Sequence, residues 1–304
     1  MTPMTTHEAR GLILASGALF CALASAPFGA GAQAWLPEKG AFSLSLDFTN
    51  ILNKNHFTST GAEIDAGHTD LQITSISASY SPSDRVEINA SLPLVKSRYR
   101  GPGLGGHNTE IDNHTWHATV TDLQLSVHYQ VADGPIGFAP YVGVIIPTHQ
   151  YEVFGHSAPG RGLNEYWLGF YTAASLNEWI PRTYVQVRYN YAFVDPVAGI
   201  SHDRSNASLE IGYFLNRSVS FRALGSWQWT HGGIDVPVSI TSPLFPYHDR
   251  LAAEEYFNVG FGSTWTINDH VSVYGLYMEA LSGTNAHKVD HRVSVGVSYD
   301  LGGH

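Results

Sequence analysis

The last stretch of the chain alternates without a break. Val293, Val295, Val297, Tyr299 and Leu301 are apolar, and Arg292, Ser294, Gly296, Ser298 and Asp300 between them are polar or small. Successive side chains of a β-strand point to opposite faces, so this period makes a strand with one greasy and one wet face. The pattern recurs. Phe42, Leu44, Leu46 and Phe48 form one apolar face, and Val86, Ile88, Ala90, Leu92 and Leu94 another. Leu123 to Val131, Val185 to Phe193, Ala207 to Leu215 and Val219 to Trp229 repeat it. Weaker versions span 71–80, 138–147, 165–174, 256–266 and 271–281, the last with two faces that are hard to tell apart. Together these predict twelve strands.

The connections decide what the strands build. Those after the even strands are short and turn-like: SPSDR, ADGPIG, NEWIPR, NRS and TINDH. Those after odd strands are mostly longer, as at 50–69, 97–117, 148–163 and 231–254. Short turns at one rim and long loops at the other are the mark of an outer-membrane barrel. Aromatic residues agree. On the apolar face Tyr80, Tyr129, Tyr213, Trp265 and Tyr299 fall at the turn ends, and Tyr191, Phe193, Trp227 and Trp229 at the loop ends. Two such belts suit two membrane interfaces. The expected fold is therefore all-β: a transmembrane up-and-down antiparallel β-barrel of about 12 strands, with short periplasmic turns and long extracellular loops. The competing fold is a soluble barrel or sandwich with the apolar face inward.

Composition narrows the rest. Charged residues are 14% of the 304, and the formal charge is −10, which argues against nucleic acid. After the first thirty residues no apolar run approaches the roughly 18 residues of a membrane helix. Before that, Arg10 precedes GLILASGALFCALASA, and Ala32 to Ala34 (AQA) offer small residues at a cleavage site. This reads as a cleavable signal peptide over 1–34, followed by a single outer-membrane barrel domain over 35–304. A buried or anchoring helix is the alternative for the leader. Cys21 is the one cysteine and falls in it, so the exported chain would carry neither disulfide nor thiol nucleophile.

Several segments resemble a family of outer-membrane proteins named for the meta-cleavage pathway of phenol degradation and labelled as transporters. The similar stretches are Thr121 to Val131, GVIIPTHQY from Gly143 to Tyr151, GRG at Gly160 to Gly162, LSGTNAH from Leu281 to His287, and the terminal VSVGVSYDL. They span most of the exported chain in the same order. The sequence departs from the family pattern at His149, where the family tends to carry glycine, and in ending LGGH rather than on an aromatic residue. The resemblance implies an outer-membrane barrel, and transport of small aromatic solutes.

The wet face carries Asp47, Glu87, Asp122, His128, Arg188, Glu210 and Arg222. These are the lumen or solute-facing candidates. They could select a solute, or pair with one another and fill the barrel, since buried polar groups need partners in either case. Their near balance of sign points to neutral solutes or to no flux. An enzyme is not expected: the His-x-Ser-Asn run of barrel phospholipases is absent, and the His-x-Ser at His270 to Ser272 sits beside a predicted periplasmic turn. His107, Asp112, His114 and His117 crowd one loop, but nothing fixes their spacing for a metal. No nucleotide motif occurs, so no cofactor is expected. The expected function is a passive conduit for small apolar or aromatic solutes. The alternative is a closed structural or adhesive barrel acting through its loops. Expected partners are outer-membrane lipid and lipopolysaccharide, the barrel-assembly machinery and a small-molecule solute.

Overall fold

The computed structural model describes residues 33–101, 110–239 and 241–302. Most of the expected signal peptide, His107 and the final Gly303 and His304 lie outside the described residues. The strands are β1 (Phe42–Phe57), β2 (Glu63–Ser83), β3 (Val86–Arg100), β4 (His117–Val120), β5 (Asp122–Tyr129), β6 (Ala132–Asp133) and β7 (Ile136–Pro147). They continue as β8 (Glu165–Ser175), β9 (Thr183–Val194), β10 (His202–Phe214), β11 (Val219–Gly232), β12 (Glu255–Thr266), β13 (Val271–Thr284) and β14 (Ala286–Leu301).

These fourteen segments make twelve walls, because β4, β5 and β6 are pieces of one. Both β4 and β5 pair with β3, and both β5 and β6 with β7. The break at Thr121 lies beside Pro93, which has no N–H to give a ladder; the Thr121 N–H instead donates to the Pro93 carbonyl at 3.0 Å. Every neighbouring pair is antiparallel, and β1 pairs with β14 from Phe42↔Leu301 to Phe57↔Ala286, so the sheet closes on itself. Closure leaves no open edge, which is what a sheet in hydrocarbon requires.

The apolar face is the outer one. Leu44, Leu46, Phe48, Ile76, Leu92, Val127 and Val295 are all exposed on it, while Ser45, Asp47, Thr49, Ser75, Ser77 and Ser294 are buried on the inner face. All five turn-end aromatics and, at the other rim, Phe193 and Trp229 are exposed on the same outer band. Such a band, belted at both ends, is a lipid-facing surface, and the chain is a bacterial outer-membrane barrel.

Two connections differ from expectation. Residues 50–69 are not a loop: β1 runs on to Phe57 and β2 starts at Glu63, leaving a tip of 58–62. Similarly β13 and β14 are joined through Asn285 alone, in the left-handed conformation at φ +52° that asparagine tolerates. Beyond the lipid, the outward positions of β1 need no greasy side chain and carry Asn50 and Lys54, so the strand continues without the alternation that reveals it.

Candidate functional site

The inner surface has four parts, from the turn rim to the loop rim. At the turn-side mouth the segment Ala34 to Leu36 enters the lumen. Gln130 donates through Nε2 to the Ala34 carbonyl (2.7 Å) and accepts from the Leu36 N–H at Oε1 (2.6 Å). Gln186 Oε1 accepts the Ala34 N–H at 3.1 Å, and the Trp35 indole donates to the Gly134 carbonyl at 3.0 Å. Ala34 is fully buried. An extended segment with no ladder of its own is satisfied here by two inward glutamines.

Above it runs a belt of tyrosines and charges. His128 is opposite Glu87 on β3 and opposite Tyr141 on β7. Its ring stacks on Tyr141 (4.9 Å) and Tyr171 (5.5 Å). Arg188 donates to the Tyr141 hydroxyl at 3.0 Å and lies 5.4 Å from the Tyr171 ring, a cation–π geometry. Tyr184 donates to Glu210, and Arg222 lies 5.6 Å from the ring of Tyr274, whose hydroxyl donates to Asp47. Inward glycines make room for the rings: a Cβ on Gly169, Gly212 or Gly296 would overlap Tyr141, Tyr184 or Tyr274 respectively.

Six of the seven sequence-derived residues thus share this belt: Asp47, Glu87, His128, Arg188, Glu210 and Arg222. Asp122 stands apart, in the loop-side layer, where it accepts from the Tyr151 hydroxyl at 2.6 Å.

The third part was not foreseen. An apolar cluster climbs the inner wall of β7, β8 and β9. It starts from Ala34, passes through Tyr171, Tyr141, Trp167 and Ala192, and ends at Leu251 in the β11–β12 loop. A second patch, Tyr274, Leu276 and Met278 with Leu224, lies across the lumen wall on β13 and β11. The missed signal was the ambiguity of 271–281: both faces are apolar because one meets lipid and the other this patch.

The fourth part fills the loop-side mouth. In the β7–β8 loop, His156, Ser157 and Ala158 are buried. Ser97 and Thr69 on the wall donate to the carbonyls of Ser157 (2.6 Å) and His156 (3.2 Å). Asp112, from the β3–β4 loop, accepts from the N–H groups of His156 (2.8 Å) and Ser157 (3.0 Å). Burial pushes the Asp112 carboxyl up, but the hydrogen bonds from His156 and Ser157 outweigh it and leave it below the usual range. The β11–β12 loop carries a short helix, α1 (His248–Leu251), and buried Glu254. Arg161 pairs with Glu254, and Arg204 with Glu165, both pairs buried. Burial pushes the Glu254 carboxyl up, against the pull of Arg161. In the histidine-rich loop, His117 is 2.9 Å from Asn113, while Asp112 faces His156. His270 sits in the β12–β13 turn against the Asp300 carbonyl.

The fold resembles solved barrels. The COG4313 outer membrane channel from Pseudomonas putida F1 matches with a TM-score of 0.70 over 89% of this chain and 99% of that one, at 12% identity. The NanC porin (0.49, 11% identity, 84% and 100% covered) and the KdgM porin in complex with oligogalacturonate (0.43, 10% identity, 85% and 99% covered) are too distant to add to it. No protein-family model matches the sequence, and no curated protein does.

Proposed function

We propose that the protein is a passive outer-membrane channel for small apolar or aromatic solutes, narrowed at both mouths by its own chain. The observation that carries this reading is the apolar strip that climbs from Trp35 past Tyr171, Tyr141 and Trp167 to Leu251. A barrel that only needs filling gains nothing from a greasy track running from one mouth to the other. A solute such as a neutral phenol would find aromatic faces along that track, and hydroxyl and guanidinium donors beside it. In this reading the belt of Asp47, Glu87, His128, Arg188, Glu210 and Arg222 would meet the solute, and Asp122 would act from the loop-side layer. With Arg188 and Arg222 set among Asp47, Glu87 and Glu210, the belt has no ring of one sign, so ions are not favoured. The outer-membrane channel with the same fold and the resemblance to phenol-pathway transporters support the same reading.

The test is uptake into proteoliposomes carrying the purified barrel, comparing phenol with a neutral sugar. The channel reading expects phenol to outpace both the sugar and empty liposomes. Uptake equal to empty liposomes for both solutes would favour the second reading, a closed structural or adhesive barrel, which the filled mouths suggest. Rapid uptake unchanged in a Glu87→Ala/Arg222→Ala variant would keep the channel and remove those two residues from its path.

A further inference from the structure

The outer face of β3 changes character at one height. Ile88, Ala90, Leu92 and Leu94 point outward in turn, and then Lys96, Arg98 and Arg100 follow on the same face. Val86 lies opposite Tyr129 of the turn-side belt, and Lys96 is ten residues further on. At about 3.3 Å per residue and a tilt of about 40°, that is a rise of about 25 Å. An apolar band in such a barrel is about 25 Å tall. The cations therefore begin where hydrocarbon ends, on the loop side.

The neighbouring strands organise the three cations without neutralising them. Trp116 lies under both Lys96 (5.0 Å) and Arg98 (4.6 Å). Asp70, opposite Arg98 on β2, accepts from Arg98 at 3.0 Å and from Arg100 at 2.8 Å. One carboxylate thus serves two guanidiniums, and Lys96 has no ion-pair partner among the described residues. The patch keeps a surplus of two positive charges. Each guanidinium has five N–H donors, more than one carboxylate can accept. Charge, donor geometry and depth all match a phosphorylated lipid headgroup whose acyl chains would lie against Leu92 and Leu94.

We propose that this outer face of β2, β3 and β4 is a binding site for the phosphates of outer-leaflet lipopolysaccharide. The lipid form is favoured over free phosphate because membrane anchoring delivers it at the height of Lys96, whereas a free ion at an exposed patch is screened by salt.

The experiment is native mass spectrometry of the purified barrel in detergent with three probes: bisphosphorylated lipid A, the same lipid enzymatically dephosphorylated, and inorganic phosphate. The expected result is retention of lipid A at least five-fold above its dephosphorylated form, with no adduct from phosphate alone. Lys96→Gln/Arg98→Gln should lose that preference, while Arg217→Gln in the opposite rim's turn should keep it. Lys96→Gln alone breaks no ion pair within the described chain and should reduce retention without affecting folding. Equal retention of the two lipids, or unchanged retention in both Lys96 variants, would overturn the proposal. A phosphate adduct as strong as that of lipid A would overturn the lipid as occupant.

Discussion

Tyr274 lies across Gly296, the residue opposite it in the β13–β14 register, and reaches over it to Asp47 on β1. Asp47 is itself opposite Gly296 on the other side. The ring therefore spans the seam where the first and last strands of the barrel meet. Gly296→Ala would force the ring and the carboxylate apart and should cost about 1–3 kcal/mol. Tyr274→Phe, which leaves buried Asp47 with Ser45 as its remaining side-chain donor, should cost a similar amount. Gly275→Ala, with open space around its outward Cβ, is the control and should be near neutral. Urea unfolding in lipid vesicles measures all three.

The two faces of the wall should respond differently to charge. Leu125 is exposed on the outer face near mid-strand, and Leu125→Arg should destabilise by roughly 2–4 kcal/mol. Gln124, its half-buried inward neighbour, should accept arginine at much lower cost. Ser294 is no substitute control: it is buried against Thr49 at 2.8 Å and lies beside Arg292, so a second arginine there would lack both space and a counter-charge. Equal losses at 124 and 125 in a folding titration would contradict the assignment of faces.

The barrel was legible because lipid leaves a period-two signature in every strand that crosses it. The belts were legible for the same reason: Tyr80, Tyr129 and Trp265 mark strand ends on the greasy face. What stayed hidden was whatever has no period. The extension of β1 past Asn50 stands outside the lipid and reads as polar loop. The apolar strip through Tyr141 and Trp167 was masked because β7 and β8 are apolar on both faces. The in-folded Ser157 and Glu254 come from loops whose sequence gives no sign of direction. The seven charged candidates were found as inward residues by alternation alone, but separating Asp122 from the others required three-dimensional register.

The loop-side closure should weaken in acid. Asp112 holds its carboxyl below the ordinary range through bonds from His156 and Ser157. A carboxylate depressed in the folded state contributes stability above its unfolded pKa and loses it as pH falls through the folded one. The β7–β8 loop should therefore stay docked at neutral pH and loosen below about pH 4, the ordinary aspartate value. Hydrogen exchange of residues 155–158 across pH, with correction for intrinsic rates, reads this out. Asp112→Asn should raise exchange at pH 7 and flatten the acid response; an unchanged profile would exclude Asp112 as the latch.

The turn-side closure meets the expected cleavage site. Cleavage after Ala34 would remove one residue of the plug and leave Trp35 and Leu36, with their bonds to Gly134 and Gln130. Intact mass of the protein extracted from outer membranes should give Trp35 as the first residue. A first residue upstream of Gln33 would move the cleavage site and leave the Ala34 bonds to Gln130 and Gln186 intact.

The most direct test of a channel narrowed at both ends by its own chain is its ionic conductance in planar bilayers. Wild type should show a small conductance. A variant released at both mouths, Gln130→Ala with Ser97→Ala and Asp112→Asn, should conduct several-fold more while keeping its strand content by circular dichroism. A released variant whose loop exchanges freely but whose conductance stays at the wild-type level would contradict the account, because the closure would then lie in the wall itself.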